Sequence, residues 1–261
     1  MSLPLVKLEH NGHTLTFDPN PRKHIYTLDG LIVPGVTTVN KKGYPTSEKL
    51  LNWFMKNGRN SKQIASEAAD VGKTLHKYAE LRIEAGKPIT DFEIPEGFDE
   101  EQEEAIQNTI ELFEKWISSN TTRTIGSEMM VASPTYQFAG TLDRLASNVH
   151  DEAGIEDYKT SSGFFVDQFV QMAGYKIALY EWKGIEAKWF RINLFGKKDA
   201  NFHTLVVNRE GWFLDDKLFE TDSYAMQKLE SQFLRNRKTF AFVAEHDDKF
   251  DVIYNQLKVD K

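Results

Sequence analysis

Apolar positions along this chain switch between two periods, and the switches divide it into blocks. In the first forty residues they alternate. Thr14-Leu15-Thr16-Phe17 reads as a strand and Asp18-Pro19-Asn20-Pro21 as a turn cluster. His24 to Leu28 and Leu31 to Pro34 then form the arms of a hairpin closed by Asp29-Gly30. Asp-Gly between apolar runs supplies the left-handed backbone that a tight hairpin needs. The β-branched run Gly35-Val36-Thr37-Thr38-Val39 reads as a continuation of that sheet.

The period then becomes helical. Ser47 to Met55 sets Leu50, Leu51 and Phe54 at core spacing. Ser61 to Ala85 carries a stripe of Ile64, Ala68, Val71, Leu75 and Ala79, and Gly86 and Pro88 close it. Asp99 to Ser118 aligns Ile106, Ile110, Phe113 and Ile117, with acids in its first turns where the helix dipole favours them. Strands return over Thr124 to Ser133, Gln137 to Ala146 and Gly154 to Lys159. A helix from Val166 to Trp182 stops at Gly184. Strands Ala187 to Phe195 and Phe202 to Val207 follow, joined by Gly196-Lys197-Lys198-Asp199. A long helix over Asp216 to Phe242 precedes a polar tail. This order predicts an α/β fold, a central mixed β-sheet flanked by helices. No repeat or linker breaks the chain. It reads as one domain with an N-terminal β segment (1–45), a helical insertion (46–120), a core (121–210) and a C-terminal helix and tail (211–261).

Composition narrows the chemistry. With no cysteine in 261 residues, disulfides, thiolate zinc sites, iron–sulfur clusters and cysteine nucleophiles are all excluded. That is compatible with a reducing cytoplasm. The N-terminus lacks the apolar stretch of a signal peptide. No apolar run approaches the roughly 20 residues that cross a membrane. The net charge of −7 is the reverse of a bulk nucleic-acid binder. A polyanionic substrate must be met by a local basic surface and by metal, not by the global field.

The densest chemistry is Gly140-Thr141-Leu142-Asp143 followed by Asp157-Tyr158-Lys159. Strand side chains alternate, so Asp157 and Lys159 share a face and Tyr158 takes the other. If Asp143 pairs alongside, its carboxylate meets Asp157. At about 4 Å two carboxylates repel by roughly 4 kcal/mol at an effective dielectric near 20. A divalent cation removes that repulsion, and the lysine can orient or deprotonate a water for hydrolysis. Upstream, Gly72, His76 and Glu80 lie on one helix face, and a helix-interior glycine costs about 1 kcal/mol unless something approaches closely. Downstream, Gln171 and Tyr175 are also one turn apart. Glu128 sits on the preceding strand. Each feature alone has a plainer reading: a surface ion pair, a partly buried histidine, a polar helix flank, an acid neutralised by its neighbour Arg144.

As an ordered set they read otherwise. Gly72-x-x-x-His76, Gly140-x-x-Asp143, Asp157-x-Lys159 and Gln171-x-x-x-Tyr175 resemble the motif series of the RecB-like branch of the PD-(D/E)XK nucleases. The lead-in from His24 to Thr38, with Tyr26, Asp29-Gly30 and Val36-Thr37-Thr38, resembles the opening of phage and mitochondrial single-domain exonucleases of that branch. The likeness spans roughly residues 24 to 195. It implies a restriction-endonuclease-like core and a metal-dependent deoxyribonuclease. It also implies Mg²⁺ or Mn²⁺ held by His76, Asp143, Asp157 and the backbone carbonyl of Tyr158. Lys159 would orient or activate the attacking water, and Gln171 and Tyr175 would brace the site or contact the phosphate. Glu80 and Glu128 are candidates for a second-metal or water-mediated role.

DNA would be met by Lys56, Arg59, Lys62, Lys73 and Lys77 around the histidine helix, with Arg235, Arg237, Lys238, Lys197 and Lys198 as weaker candidates. Trp53, Phe54 and Tyr78 are candidates for base stacking, although core packing is the plainer role for Phe54. The leading expectation is a DNA exonuclease of phage or prophage origin used in recombination or processing, with a recombination partner protein and a homo-oligomer left open. A structure-specific endonuclease and a catalytically silent DNA-binding module are the alternatives.

Overall fold

The computed structural model describes residues 5–19, 25–46, 48–196 and 201–259. His24 and Ser47, and the lysines Lys197 and Lys198, lie outside them. Two sheets organise the described chain. The smaller is an antiparallel meander of β1 (Val6–His10), β2 (His13–Asp18), β3 (Ile25–Leu28) and β4 (Leu31–Val33). Its last hairpin turns on Asp29 and Gly30 at φ 52° and 82°, as the Asp-Gly pair demands.

The larger sheet has seven strands: β5 (Arg123–Ser133), β6 (Phe138–Ser147), β7 (Ala153–Lys159), β8 (Trp189–Leu194), β9 (His203–Val207), β10 (Gly211–Leu214) and β11 (Lys217–Thr221). They lie in the order β11-β10-β9-β8-β7-β6-β5. All neighbours are antiparallel except β7 and β8, which run parallel. A parallel pair needs a crossover, and the helix between them supplies it. The mixed sheet between helices is the architecture expected from the order of elements.

Helices cover both faces. Helix α5 (Val166–Lys183) packs on β5 through β8, and α1 (Val36–Gly43) and α6 (Ala225–Val259) pack against α5 and each other. This side holds the main core, from Leu15 and Leu28 of the small sheet to Phe138, Phe169, Trp182, Phe190 and Phe233. On the other side α3 (Ser61–Ala85) and α4 (Glu100–Ser119) enclose Leu75, Tyr78, Phe113, Trp116, Tyr158 and Phe195. Asp99 caps α4 through a reciprocal capping box with Gln102. Gly184 ends α5 at φ 69°.

Three expectations are corrected. Residues 36–43 form α1, not a strand: Pro34-Gly35 ends β4, and Val36, Val39 and Asn40 become buried between α5, α6 and β6. Tertiary packing outweighs the few tenths of a kcal/mol by which β-branched residues disfavour helix. The long helix expected from Asp216 begins only at Ala225 and continues to Val259. Residues 211–221 are instead a hairpin turning on Asp215 and Asp216, both left-handed at φ 46° and 63°. Finally, α2 (Glu48–Asn57) exists where expected, but none of its residues is buried. Leu50, Leu51 and Phe54 are 43%, 49% and 42% exposed, so they form no core stripe. The start of the α3 stripe, Ile64 and Ala68, is exposed as well.

The close approach of α1 to α6 has a sequence cause. A Cβ on Gly43, in the last turn of α1, would lie 2.4 Å from the backbone carbonyl oxygen of Asn236 on α6. Gly43→Ala must push two backbones apart. It should destabilise the chain by about 1–3 kcal/mol in urea unfolding. Gly163→Ala, with nothing within 4 Å, should not. Equal stability of both variants would contradict the packing described for α1 and α6.

Candidate metal centre

The ladder between β6 and β7 ends at the pair Arg144↔Glu156. One step further would set Asp143 opposite Asp157. There Asp143 Oδ2 accepts a hydrogen bond from the Tyr158 backbone N–H at 2.8 Å. The carboxylate thus takes over as acceptor where backbone pairing stops, which fixes its rotamer at the open end of the sheet. Asp143 and Asp157 are 9% and 3% exposed.

His76 reaches the same place from α3. Its Nδ1 lies 3.4 Å from Asp143 Oδ1, and its Nε2 lies 3.0 Å from the Tyr158 carbonyl oxygen. Gly72 explains how the helix gets so near. A Cβ there would stand 3.3 Å from Thr160 Oγ1, immediately beyond Lys159. It is the strand end that approaches the glycine. Lys159 Nζ is 2.5 Å from Asp157 Oδ2. Gln171 Nε2 donates to Tyr175 Oη at 3.0 Å and to Thr37 Oγ1 of α1 at 3.1 Å. Gly140 is glycine because the Tyr175 ring lies on it: a Cβ would be 2.7 Å from Tyr175 Cε1.

Four sequence segments therefore converge, and Glu128 joins them. It sits inside β5 with φ 47°, a left-handed conformation that costs a non-glycine residue of order 1–3 kcal/mol. Donor atoms of His76, Glu128 and Asp143 all lie within 4.8 Å of one another. Asp157 stands beside this group, paired with Lys159. Glu80 is half-buried, ion-paired to Lys77 at 2.7 Å, and adds its negative field to Glu128.

Protonation reflects this crowding. Burial and then the Asp143 charge push Glu128 up to about 8. Burial raises Asp157 to about 6 against the pull of Lys159, with Asp143 adding to the rise. Burial would lower His76, but the neighbouring Asp143 carboxylate prevails and raises it to about 9. Asp143 itself, despite its burial, is held below the usual carboxylate range by His76, Lys159 and the Tyr158 N–H. Lys159 is half-buried, and although desolvation opposes it, Asp157 and Asp143 raise its pKa. At neutral pH the cluster holds protons where positive charge is needed. One imidazole with carboxylate oxygens is a donor set that suits a divalent cation. The Tyr158 carbonyl, expected as a ligand, already faces His76 Nε2, so a cation using either atom must displace that contact.

Arg144 does not neutralise Asp143. It points to the other face of the sheet, against Glu156. Tyr26 and Thr141 were not singled out as site residues, and they share a hydrogen bond of 3.0 Å beside the acids. Thr141 had a signal, since period two puts it on the face of Asp143. Of the expected DNA contacts, Lys56, Arg59 and Lys62 are exposed, while Lys73 is ion-paired to Asp70 at 2.6 Å. Arg237 donates to the Tyr136 and Gln137 carbonyls, a structural role. Arg235 and Lys238 are exposed on α6, Arg235 donating to Gln232. Tyr78 is buried and donates to Glu114, so it stacks on no base.

The raised values set a pH dependence. Glu128, Asp157 and His76 all bind their proton more tightly in the folded chain than unfolded. The stability this contributes is present at low pH and lost as pH rises through about 6, about 8 and about 9. In chelator the melting temperature should therefore fall as pH rises from mildly acidic to about 9, and Glu128→Gln should flatten the fall. A melting temperature that rises over this window would contradict the cluster.

No protein-family model matches the chain, and no curated protein matches it. Among solved structures it is similar to an alkaline exonuclease from Laribacter hongkongensis, at 12% identity and a TM-score of 0.37, over 88% of this chain and 95% of that one. The complex of that exonuclease with dAMP matches at 15% identity and a TM-score of 0.32, over 76% of this chain and 93% of the other.

Proposed function

We propose that this chain is a divalent-metal-dependent deoxyribonuclease, a single PD-(D/E)XK domain of the RecB-like branch that hydrolyses phosphodiester bonds as an exonuclease. The observation that carries the reading is the convergence of His76, Asp143, Asp157 and Lys159 from three separated segments at one open sheet end. The four sequence motifs and the clustering of their side chains both support it.

His76, Asp143 and Asp157 would hold the cation, with Glu128 and Glu80 as further acids and the Tyr158 carbonyl as a further oxygen. The bound metal would lower the pKa of a water and neutralise charge on the phosphoryl oxygens. The residues do the rest. Lys159, its pKa raised by two carboxylates, is an ammonium at neutral pH. Its part would be to orient or activate the attacking water. The Gln171 amide NH2 donates to both Tyr175 and Thr37, which fixes the phenol at the rim of the site. The water oxygen bonds to phosphorus, the bond to the leaving oxygen breaks and that oxygen takes a proton from solvent, and the attacking water's proton leaves to solvent or to a carboxylate of the cluster.

DNA would approach along α2 and the start of α3. Between residues 48 and 62 one acid stands against four basic residues, in a chain of net charge −7. Lys56, Arg59 and Lys62 are exposed there beside Phe54 and the half-buried Trp53, whose rings meet edge to face at 5.3 Å. Aromatic rings among cations favour single strands or frayed ends. Lys73 and Lys77 would contribute after exchanging their acid partners for phosphate. Phage or prophage origin, a role in recombination or DNA processing, and a partner protein or homo-oligomer complete the proposal. An endonuclease on the same scaffold is the second reading, since no residue here separates ends from internal sites.

The test is hydrolysis of end-labelled and circular DNA, single- and double-stranded, with Mn²⁺ or Mg²⁺. Wild type should release nucleotides from ends with both metals and faster with Mn²⁺, because an imidazole in the ligand set favours it. Lys159→Ala should be slower by at least about 10²-fold. Identical products from the two proteins would refute the assignment, and cleavage of circles would move it to an endonuclease.

A further inference from the structure

Glu156 is fully buried, and nothing in the proposed hydrolysis uses it. Arg144, 2% exposed, donates through Nη1 to one oxygen of its carboxylate. Arg191 Nη1 and the Thr122 hydroxyl donate to the other, each at 3.1 Å. Arg144 also donates to Thr124 Oγ1 at 2.9 Å and to the Thr122 hydroxyl and carbonyl at 2.8 and 3.1 Å. Its guanidinium lies 5.7 Å from the Trp116 ring centre. One carboxylate thus ties together β6, β7, β8 and the segment that enters β5.

Burying two guanidiniums and a carboxylate is a costly way to hold strands together. Apolar side chains of similar volume often do as well or better. What a guanidinium fork adds is intolerance of displacement. Register matters most here, because Arg144↔Glu156 is the last ladder pair before the sheet opens. The next positions are Asp143 and Asp157, with side chains on the opposite face. Their mutual repulsion loads the open end in the direction that splays it.

We propose that the Arg144–Glu156–Arg191 triad is a positioning device that holds Asp143 and Asp157 at the spacing a divalent cation needs before the cation arrives. None of the three touches the cation or the phosphate. They act through the backbones of β6 and β7. This rests on the metal-nuclease reading above.

The test is calorimetric titration of Mn²⁺ into the full chain without DNA. The variants are Glu156→Gln, Arg144→Lys, and the paired Arg144→Met/Glu156→Met, each checked for folding by circular dichroism. Leu28→Ala, in the core beneath the small sheet, serves as a destabilised control. The three triad variants should bind Mn²⁺ about 10–100-fold more weakly, the range for residues that orient ligands. Leu28→Ala should bind as wild type does. If the paired variant folds and keeps wild-type affinity, the triad is only structural and the inference fails. If Glu156→Gln does not fold, Arg144→Lys decides, because it keeps the charge and loses the fork. Failure of wild type to bind Mn²⁺ would instead overturn the metal reading on which the inference stands.

Discussion

Everything at the site depends on one substitution of acceptor. Where the β6–β7 ladder stops, the Asp143 carboxylate takes the hydrogen bond from Tyr158 N–H. A peptide N–H is thereby satisfied without a partner strand. The same bond fixes a buried negative charge one residue from Asp157. The cluster then needs positive charge from outside itself. A protonated His76 supplies some from α3 and Lys159 some from β7, and a proton on Glu128 makes up part of the remainder. A divalent cation would replace those protons.

The surroundings serve that geometry. Glycine at 140 lets the Tyr175 ring lie where a Cβ would collide with it, and glycine at 72 leaves room for Thr160 where a Cβ would be tight. Helix α5 is both the crossover that makes β7 and β8 parallel and the carrier of Gln171 and Tyr175. The buried ion triad lies behind the acids on the other face. The small sheet enters through Pro34, whose carbonyl accepts from Ala139 N–H at the start of β6, and so brings Tyr26 and Thr37 to the rim.

Much of this was legible in the residues. Asp99, Gly184 and Asp29-Gly30 stand where caps and turns require them, and the period-two face of Asp157 and Lys159 is the face the structure presents. What was not legible depended on distant partners. Residues 36–39 look like strand, and only the pocket between α5, α6 and β6 makes them helix. The 211–221 hairpin did carry a sign, two apolar runs about Asp215-Asp216, but Asp-Asp signals a left-handed turn more weakly than Asn-Gly. Leu50, Leu51 and Phe54 have core spacing and no core to meet, since helical period reports a face and not what covers it. Arg144 follows Asp143 in sequence, yet the pleat sends it to the other side of the sheet.

Anomalous diffraction from a crystal soaked in Mn²⁺ tests the central claim most directly. The account predicts a peak at the end of β7, bonded at about 2.0–2.2 Å to a carboxylate oxygen of Asp143 and coordinated by His76 and Asp157 or Glu128. The His76 contact to the Tyr158 carbonyl should be broken or shifted. A peak elsewhere, or none at this cluster at saturating Mn²⁺, would contradict it.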